Sequence, residues 1–220
     1  HLLALALKRR QRFTESLAAF EQALALAQEP GFRAVILSNR GNTQQAAGDL
    51  DRAVASYRES LTLVPRQSAA WSSLGQSLQA QGKAGQAEAA WRDGLASGCE
   101  PAGLLNLLAA AGQRRGAPTE AEQLFQQSLS HERSAPTEYN LANLYNDAGR
   151  PADAIAHYRA ALAIDPHYSL AQTSLLRALQ AACDFEGARA ATAHVLAAVD
   201  AGGADPLAGP AQPVFPFAYL

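Results

Sequence analysis

Amide side chains at repeated spacing are the residues of this chain best placed to do chemistry. Asn39 and Asn42 stand three apart, and Asn140 and Asn143 repeat that pair downstream. An amide offers one acceptor and two donor hydrogens, which suits it to pairing with the N–H and C=O groups of an extended peptide. Residues that make or break covalent bonds are not so arranged. The five histidines (His1, His131, His157, His167, His194) form no HExxH, no pair four residues apart on one helical face and no partnership with a CxxC. No metal site is expected from them. Cys99 and Cys183 are too few for a disulfide framework and fall in different segments. The chain holds no glycine-rich phosphate loop, no GxSxG elbow and no Ser, His and Asp trio in register. Carboxylates such as Glu120, Glu122 and Asp153 sit where the first turn of a helix favours negative charge. The expectation is a chain that is not itself an enzyme, with no cofactor.

The elements that would position the amides are legible from a second pattern. Leucine recurs at Leu24, Leu61, Leu95, Leu129, Leu162 and Leu196, and Phe20, Tyr57, Trp91, Phe125 and Tyr158 precede the first five by four. Steps between these aromatics are 37, 34, 34 and 33 residues. Four residues before each aromatic is a small residue (Ser16, Ala53, Ala87, Ala121, Ala154), and Gly48, Gly82, Gly116 and Gly149 precede four of those by five. A period near 34 built this way resembles the tetratricopeptide repeat. That resemblance implies an all-α fold, a right-handed helix-turn-helix solenoid of five to six repeats followed by a C-terminal Pro/Gly linker. The units are 1–33, 34–67, 68–101, 102–134, 135–168 and a degenerate 169–199, with 200–220 as a linker leading toward a further domain.

Within residues 68–101, Trp71, Leu74 and Leu78 stripe a first helix, Gly82 marks its end, and Ala87, Trp91 and Leu95 stripe a second. Alanine permits close approach of the helices, and the aromatic one turn later is expected to fill the gap between neighbouring hairpins. Prolines are read as closing the units, Pro65 and Pro166 in the usual place and Pro30, Pro101 and Pro136 slightly late. Arg40 replaces the usual first-helix leucine, Cys183 the glycine and Thr192 the aromatic, so looser packing is expected there.

Composition agrees. Of 220 residues, 48% are apolar, and 18 basic against 20 acidic residues leave a net charge of −2. Such a balance gives no general drive toward nucleic acid or anionic membrane. The cluster Lys8, Arg9, Arg10, Arg12 reads as a solvated helix end. No apolar run approaches the ~20 residues a bilayer span needs, and no signal peptide is recognisable, so a cytoplasmic location is expected. The chain has no methionine and starts in mid-repeat, the pattern expected of a piece cut from a longer protein.

In the tetratricopeptide fold the first helix of each unit lines a concave groove, which implies the groove residues here. They include Asn39, Asn42, Ser73, Gln76 and Asn106, then Tyr139, Asn140, Asn143, Asn146 and Arg177. Amides and hydroxyls dominate, so the implied partner is a protein or extended peptide gripped by its main chain. The asparagine pairs resemble the ladder in the groove of O-linked N-acetylglucosamine transferase, although Ser73, Leu107 and Ser174 interrupt it. They do not resemble the lysine-rich carboxylate clamp of chaperone-binding domains, since Lys8 and Lys83 are the only lysines. The stretch Cys183-Asp184-Phe185, a Gly/Pro-rich linker and the apolar Val214, Phe215, Phe217, Tyr219 and Leu220 are similar to the junction in bacterial SPINDLY and O-linked N-acetylglucosamine transferase homologues. This resemblance implies the acceptor-recognition arm of a nucleotide-sugar-dependent protein glycosyltransferase, its tail docking on an absent catalytic domain. A stand-alone adaptor that scaffolds a bacterial protein complex, or an arm fused to another enzyme such as a sulfotransferase, remains open at this stage.

Overall fold

The computed structural model describes residues 1–184 together with 187, 192 and 193. Among them are eleven helices, paired as antiparallel hairpins, and no strand. They fall into two compact units, residues 1–115 and 116–220. The first unit holds α1 (Leu2–Arg9), α2 (Phe13–Leu26), α3 (Pro30–Ala46), α4 (Leu50–Leu63), α5 (Ser68–Ala80), α6 (Ala84–Ala96) and α7 (Pro101–Arg114). The second holds α8 (Pro118–His131), α9 (Ala135–Asp147), α10 (Pro151–Ile164) and α11 (Ser169–Ala181). Within each unit consecutive helices pack on one another, and alternate helices touch in the pairs α3 with α5, α5 with α7, and α9 with α11. Ala188, Leu196, the linker and the apolar tail all lie outside the described residues.

Turns are built as the glycine pattern predicts, and also where the pattern fails. Gly82 has φ +76°, with its N–H donating to Gln79 O at 2.8 Å and that of Lys83 to Leu78 O at 2.9 Å. This is the left-handed helix stop that glycine adopts without a Cβ penalty. Cys183 takes the same conformation at φ +56°, with Cys183 N–H on Gln180 O and Asp184 N–H on Leu179 O. Gln11, at the corresponding place between α1 and α2, does so at φ +57°. Helix packing therefore imposes the turn on two residues that do not favour it. Prolines behave differently from the expectation: Pro30 and Pro101 are the first residues of α3 and α7, and Pro136 lies in the first turn of α9. They open helices, because the first helical position needs no N–H and suits a fixed φ.

The core follows the repeat. Ser16, Ala53, Ala87, Ala121 and Ala154 are buried, as are Phe20, Tyr57, Trp91, Phe125 and Tyr158. Buried Ser16 satisfies its hydroxyl by donating to Ala4 O at 2.7 Å. Tyr57 and Trp91 seat against the first helix of their own hairpin, in addition to the expected place between neighbouring hairpins. A Cβ on Gly41 would come within 2.7 Å of the Tyr57 ring, and one on Gly75 would collide with the Trp91 indole nitrogen. The Trp91 Nε1–H donates to Ser72 O at 3.3 Å in the same hairpin. Ala109 and Ala142 hold the matching place on α7 and α9 and are buried.

Arg40 also departs from the looser packing expected of it. Its Nε donates to Ser56 Oγ, and its two terminal nitrogens meet Glu21 and Glu59, each at 3.0 Å. The guanidinium ties α3 to α2 and α4 where other repeats have a buried leucine such as Leu74. Both carboxylates are more than half exposed, so the ionic part of this tie contributes little.

Two outcomes follow for stability. Trp91→Ala should cost roughly 3–5 kcal/mol in denaturant unfolding, and Gly75→Ala should also destabilise because the indole cannot move aside. Cys183→Gly and Gln11→Gly should each raise stability by about 0.5–1 kcal/mol, since glycine removes the left-handed penalty at some cost in unfolded-chain entropy. Unchanged melting temperatures in both glycine variants would show that those turns carry no strain.

Candidate peptide-binding surface

The predicted groove residues all fall on first helices of hairpins: Asn39 and Asn42 on α3, Ser73 and Gln76 on α5, Asn106 on α7, Tyr139, Asn140, Asn143 and Asn146 on α9, and Arg177 on α11. Side chains three and four apart share a helical face, and the face of α3 opposite Asn39 and Asn42 buries Leu37, Gly41 and Gln44. Asn146 and Arg177 are exposed, and the other eight are half-buried. The surface is thus semi-recessed polar helix.

Several of its amides already hold partners from below. Asn39 Nδ2 lies 3.1 Å from His1 Nε2, and the His1 ring packs near Phe20 and Phe32. In the first unit the Tyr57 hydroxyl, on α4, donates to Asn42 Oδ1 at 2.8 Å, with Gln45 Oε1 at 3.0 Å. In the second, the Tyr158 hydroxyl on α10 donates to Asn143 Oδ1 at 2.6 Å. The Tyr139 ring is within 5.8 Å of Tyr158 and 5.4 Å of Tyr168, an aromatic cluster that holds it in place. Burial pushes the Tyr57 phenol well above its ordinary range, opposed by a hydrogen bond from Ser73. Tyr158 is pushed up to about 12 by burial and by Tyr139, with Ser174 acting in the opposite sense. Tyr168 is likewise pushed up to about 12, by burial, Tyr139 and Asp165. These phenols stay protonated, and hence able to donate, at any physiological pH.

Two buried carboxylates were not singled out by the sequence reading. Glu88 on α6 accepts from Arg92 at 3.1 Å and from Arg115 at 2.6 Å. Glu138 on α9 pairs with Arg133 at 3.3 Å and with His157 at 2.7 Å. Only the spacing of Glu88 and Arg92, four apart on α6, signals such a pair in the sequence; Arg115, Arg133 and His157 come from other helices and turns. Both are compensated buried charges whose loss of a partner would be costly. Among the described residues no group of three or more His, Cys, Asp or Glu side chains could hold a metal ion, and no helix is long and apolar enough to cross a membrane.

Successive helix hairpins, each locked by an aromatic over a small residue and showing a polar first-helix face, define a helical-repeat scaffold. Tetratricopeptide repeat profiles match residues 1–66, 73–138 and 135–168, and the chain belongs to the tetratricopeptide repeat family. Its fold is similar to the crystal structure of BtubC from P. vanneervenii, at 21% identity and TM-score 0.74, over 91% of this chain and 95% of that one. It is similar also to PilW, a widely conserved type IV pilus biogenesis factor, at 19% identity and TM-score 0.72, over 94% of each chain. YrrB, described as a tetratricopeptide protein with an unusual peptide-binding site, matches at 19% identity and TM-score 0.55, over 86% of this chain and 95% of that one. At such identities the likeness is one of fold. No curated protein sequence matches the chain. The resemblance to SPINDLY and O-linked N-acetylglucosamine transferase accordingly rests on sequence motifs alone.

The phenols supply a pH test. Tyr158 and Tyr168 rise from an ordinary 10.0 to about 12, so the stability they lend is complete below the lower value and is lost as pH climbs through the upper. Melting temperature should hold in mildly alkaline buffer and fall in this window, less steeply in Tyr158→Phe. An identical alkaline profile in that variant would contradict the assignment.

Proposed function

We propose that this chain is a protein-binding scaffold whose first-helix faces hold extended peptide through its main chain. The observation that carries this reading is the recurrence of half-buried amides at one register on two first helices, α3 with Asn39 and Asn42 in the first unit and α9 with Asn140 and Asn143 in the second. Side-chain amides held in a recess match the alternating N–H and C=O of a strand-like peptide and are indifferent to its side chains. The likeness of fold across nearly the whole of PilW and BtubC supports a stand-alone adaptor made of repeats. A second reading, the acceptor-recognition arm of a protein O-glycosyltransferase, is favoured by Cys183-Asp184-Phe185 and by the apolar segment from Val214 to Leu220. The two agree on what the helices bind and differ in what is done to it.

Asn140→Ala combined with Asn143→Ala should weaken binding of peptides selected from a displayed random library on the wild-type chain by about tenfold or more. Binding should change little with salt, because the surface carries few charges. Undiminished affinity in the double variant, or affinity abolished by moderate salt, would refute main-chain capture by amides. For the second reading, the open reading frame that encodes this chain should continue into a nucleotide-sugar-binding fold, and its product should transfer sugar to serine or threonine of proteins. A product without transfer from uridine or guanosine diphosphate sugars leaves the adaptor.

A further inference from the structure

Tyr57 and Tyr158 share a spatial and sequential pattern that the amide surface alone does not explain. Each lies fifteen residues after an asparagine, Asn42 or Asn143, and sixteen before a serine, Ser73 or Ser174. In both cases the phenol donates to the asparagine Oδ1, at 2.8 Å for Asn42 and 2.6 Å for Asn143. Hairpins whose aromatic has no hydroxyl lack the asparagine. Gln76 stands fifteen residues before Trp91, Ala110 before Phe125 and Leu5 before Phe20. Asparagine at this register thus goes with tyrosine in every hairpin of the chain that has either.

We propose that Tyr57 and Tyr158 are positioning residues that fix the orientation of Asn42 and Asn143, turning these two amides into directed donors for the main-chain carbonyls of a bound peptide. The direction of the hydrogen bonds follows from proton count. A phenol has one proton, and in the second unit Asn143 Oδ1 receives it at 2.6 Å. In the first unit Asn42 Oδ1, at 2.8 Å, and Gln45 Oε1, at 3.0 Å, both accept from the phenol. With Oδ1 held from below, Nδ2 is the atom left for the open face. The Nδ2 hydrogens of Asn42 and Asn143 form no hydrogen bond among the described residues. A freely rotating amide would offer acceptor and donor in turn and would lose rotamer entropy on binding, whereas a held amide loses less. Gln76, one methylene longer and in a hairpin with tryptophan in place of tyrosine, has no phenol to anchor it. The tyrosines would therefore mark one fixed carbonyl-binding point in each unit.

This inference rests on the peptide-binding reading above, and the experiment separates the two. The probe is the peptide selected on the wild-type chain from a displayed random library, and its affinity is measured for the full chain carrying Asn143→Ala, Asn143→Asp, Tyr158→Phe, and Tyr158→Phe with Asn143→Ala. Expected is a loss of roughly threefold to tenfold for each single variant, with Asn143→Asp as weak as Asn143→Ala because a carboxylate still accepts from the phenol but cannot donate. The Tyr158→Phe loss should vanish in the Asn143→Ala background, a coupling that a merely structural tyrosine would not show. A measurement independent of peptide follows the side-chain amide of Asn143 by nuclear magnetic resonance, whose order parameter should fall in Tyr158→Phe. If the asparagine variants weaken binding and Tyr158→Phe does not, the positioning role fails and peptide capture stands. If neither weakens it, the peptide-binding reading of this face fails with it.

Discussion

One contact organises the hairpins: the large aromatic of the second helix seated over a residue of the first that has little or no side chain. Gly41 under Tyr57 and Gly75 under Trp91 leave no room for a methyl group. Two helices can approach this closely only if one supplies the bulk and the other the hollow, and the buried Ala53 and Ala87 one turn earlier continue the same complementarity. Because the aromatic spans the hairpin, its far end arrives at the opposite surface of the first helix. Where that end is a hydroxyl, the core contact becomes part of the polar face.

That placement explains why the face is chemically uneven although its amides repeat. Asn42 and Asn143 are held through tyrosines rooted in the core, while the hairpin that carries Gln76 has a tryptophan whose nitrogen donates to the backbone at Ser72 instead. Packing and recognition thus share residues. A phenol kept protonated by burial is a dependable donor, and its dependability comes from the same desolvation that makes it a good core residue.

Charge is used sparingly and locally. Arg40 gathers Glu21, Ser56 and Glu59 where neighbouring repeats bury leucine, Glu88 meets Arg92 and Arg115, and Glu138 meets Arg133 and the His157 ring. Such clusters satisfy buried or half-buried charge without adding much net stability.

The sequence by itself determined the helical repeat, its period, the buried small and aromatic positions and the register of the polar face, because each follows from side chains that recur at fixed steps along one chain. It also marked Gly82 and Gly149 as helix stops, since only glycine takes positive φ freely. Only the tertiary structure decided that Gln11 and Cys183 make the same stop, because packed neighbouring helices supply the energy that their own preferences do not. It likewise decided that Arg40 would be embraced by carboxylates from two other helices, that aromatics lie inside their own hairpins, and that a phenol would reach through to Asn42 or Asn143. Those outcomes depend on distances between residues far apart in sequence, which periodicity constrains only once the helices are laid side by side.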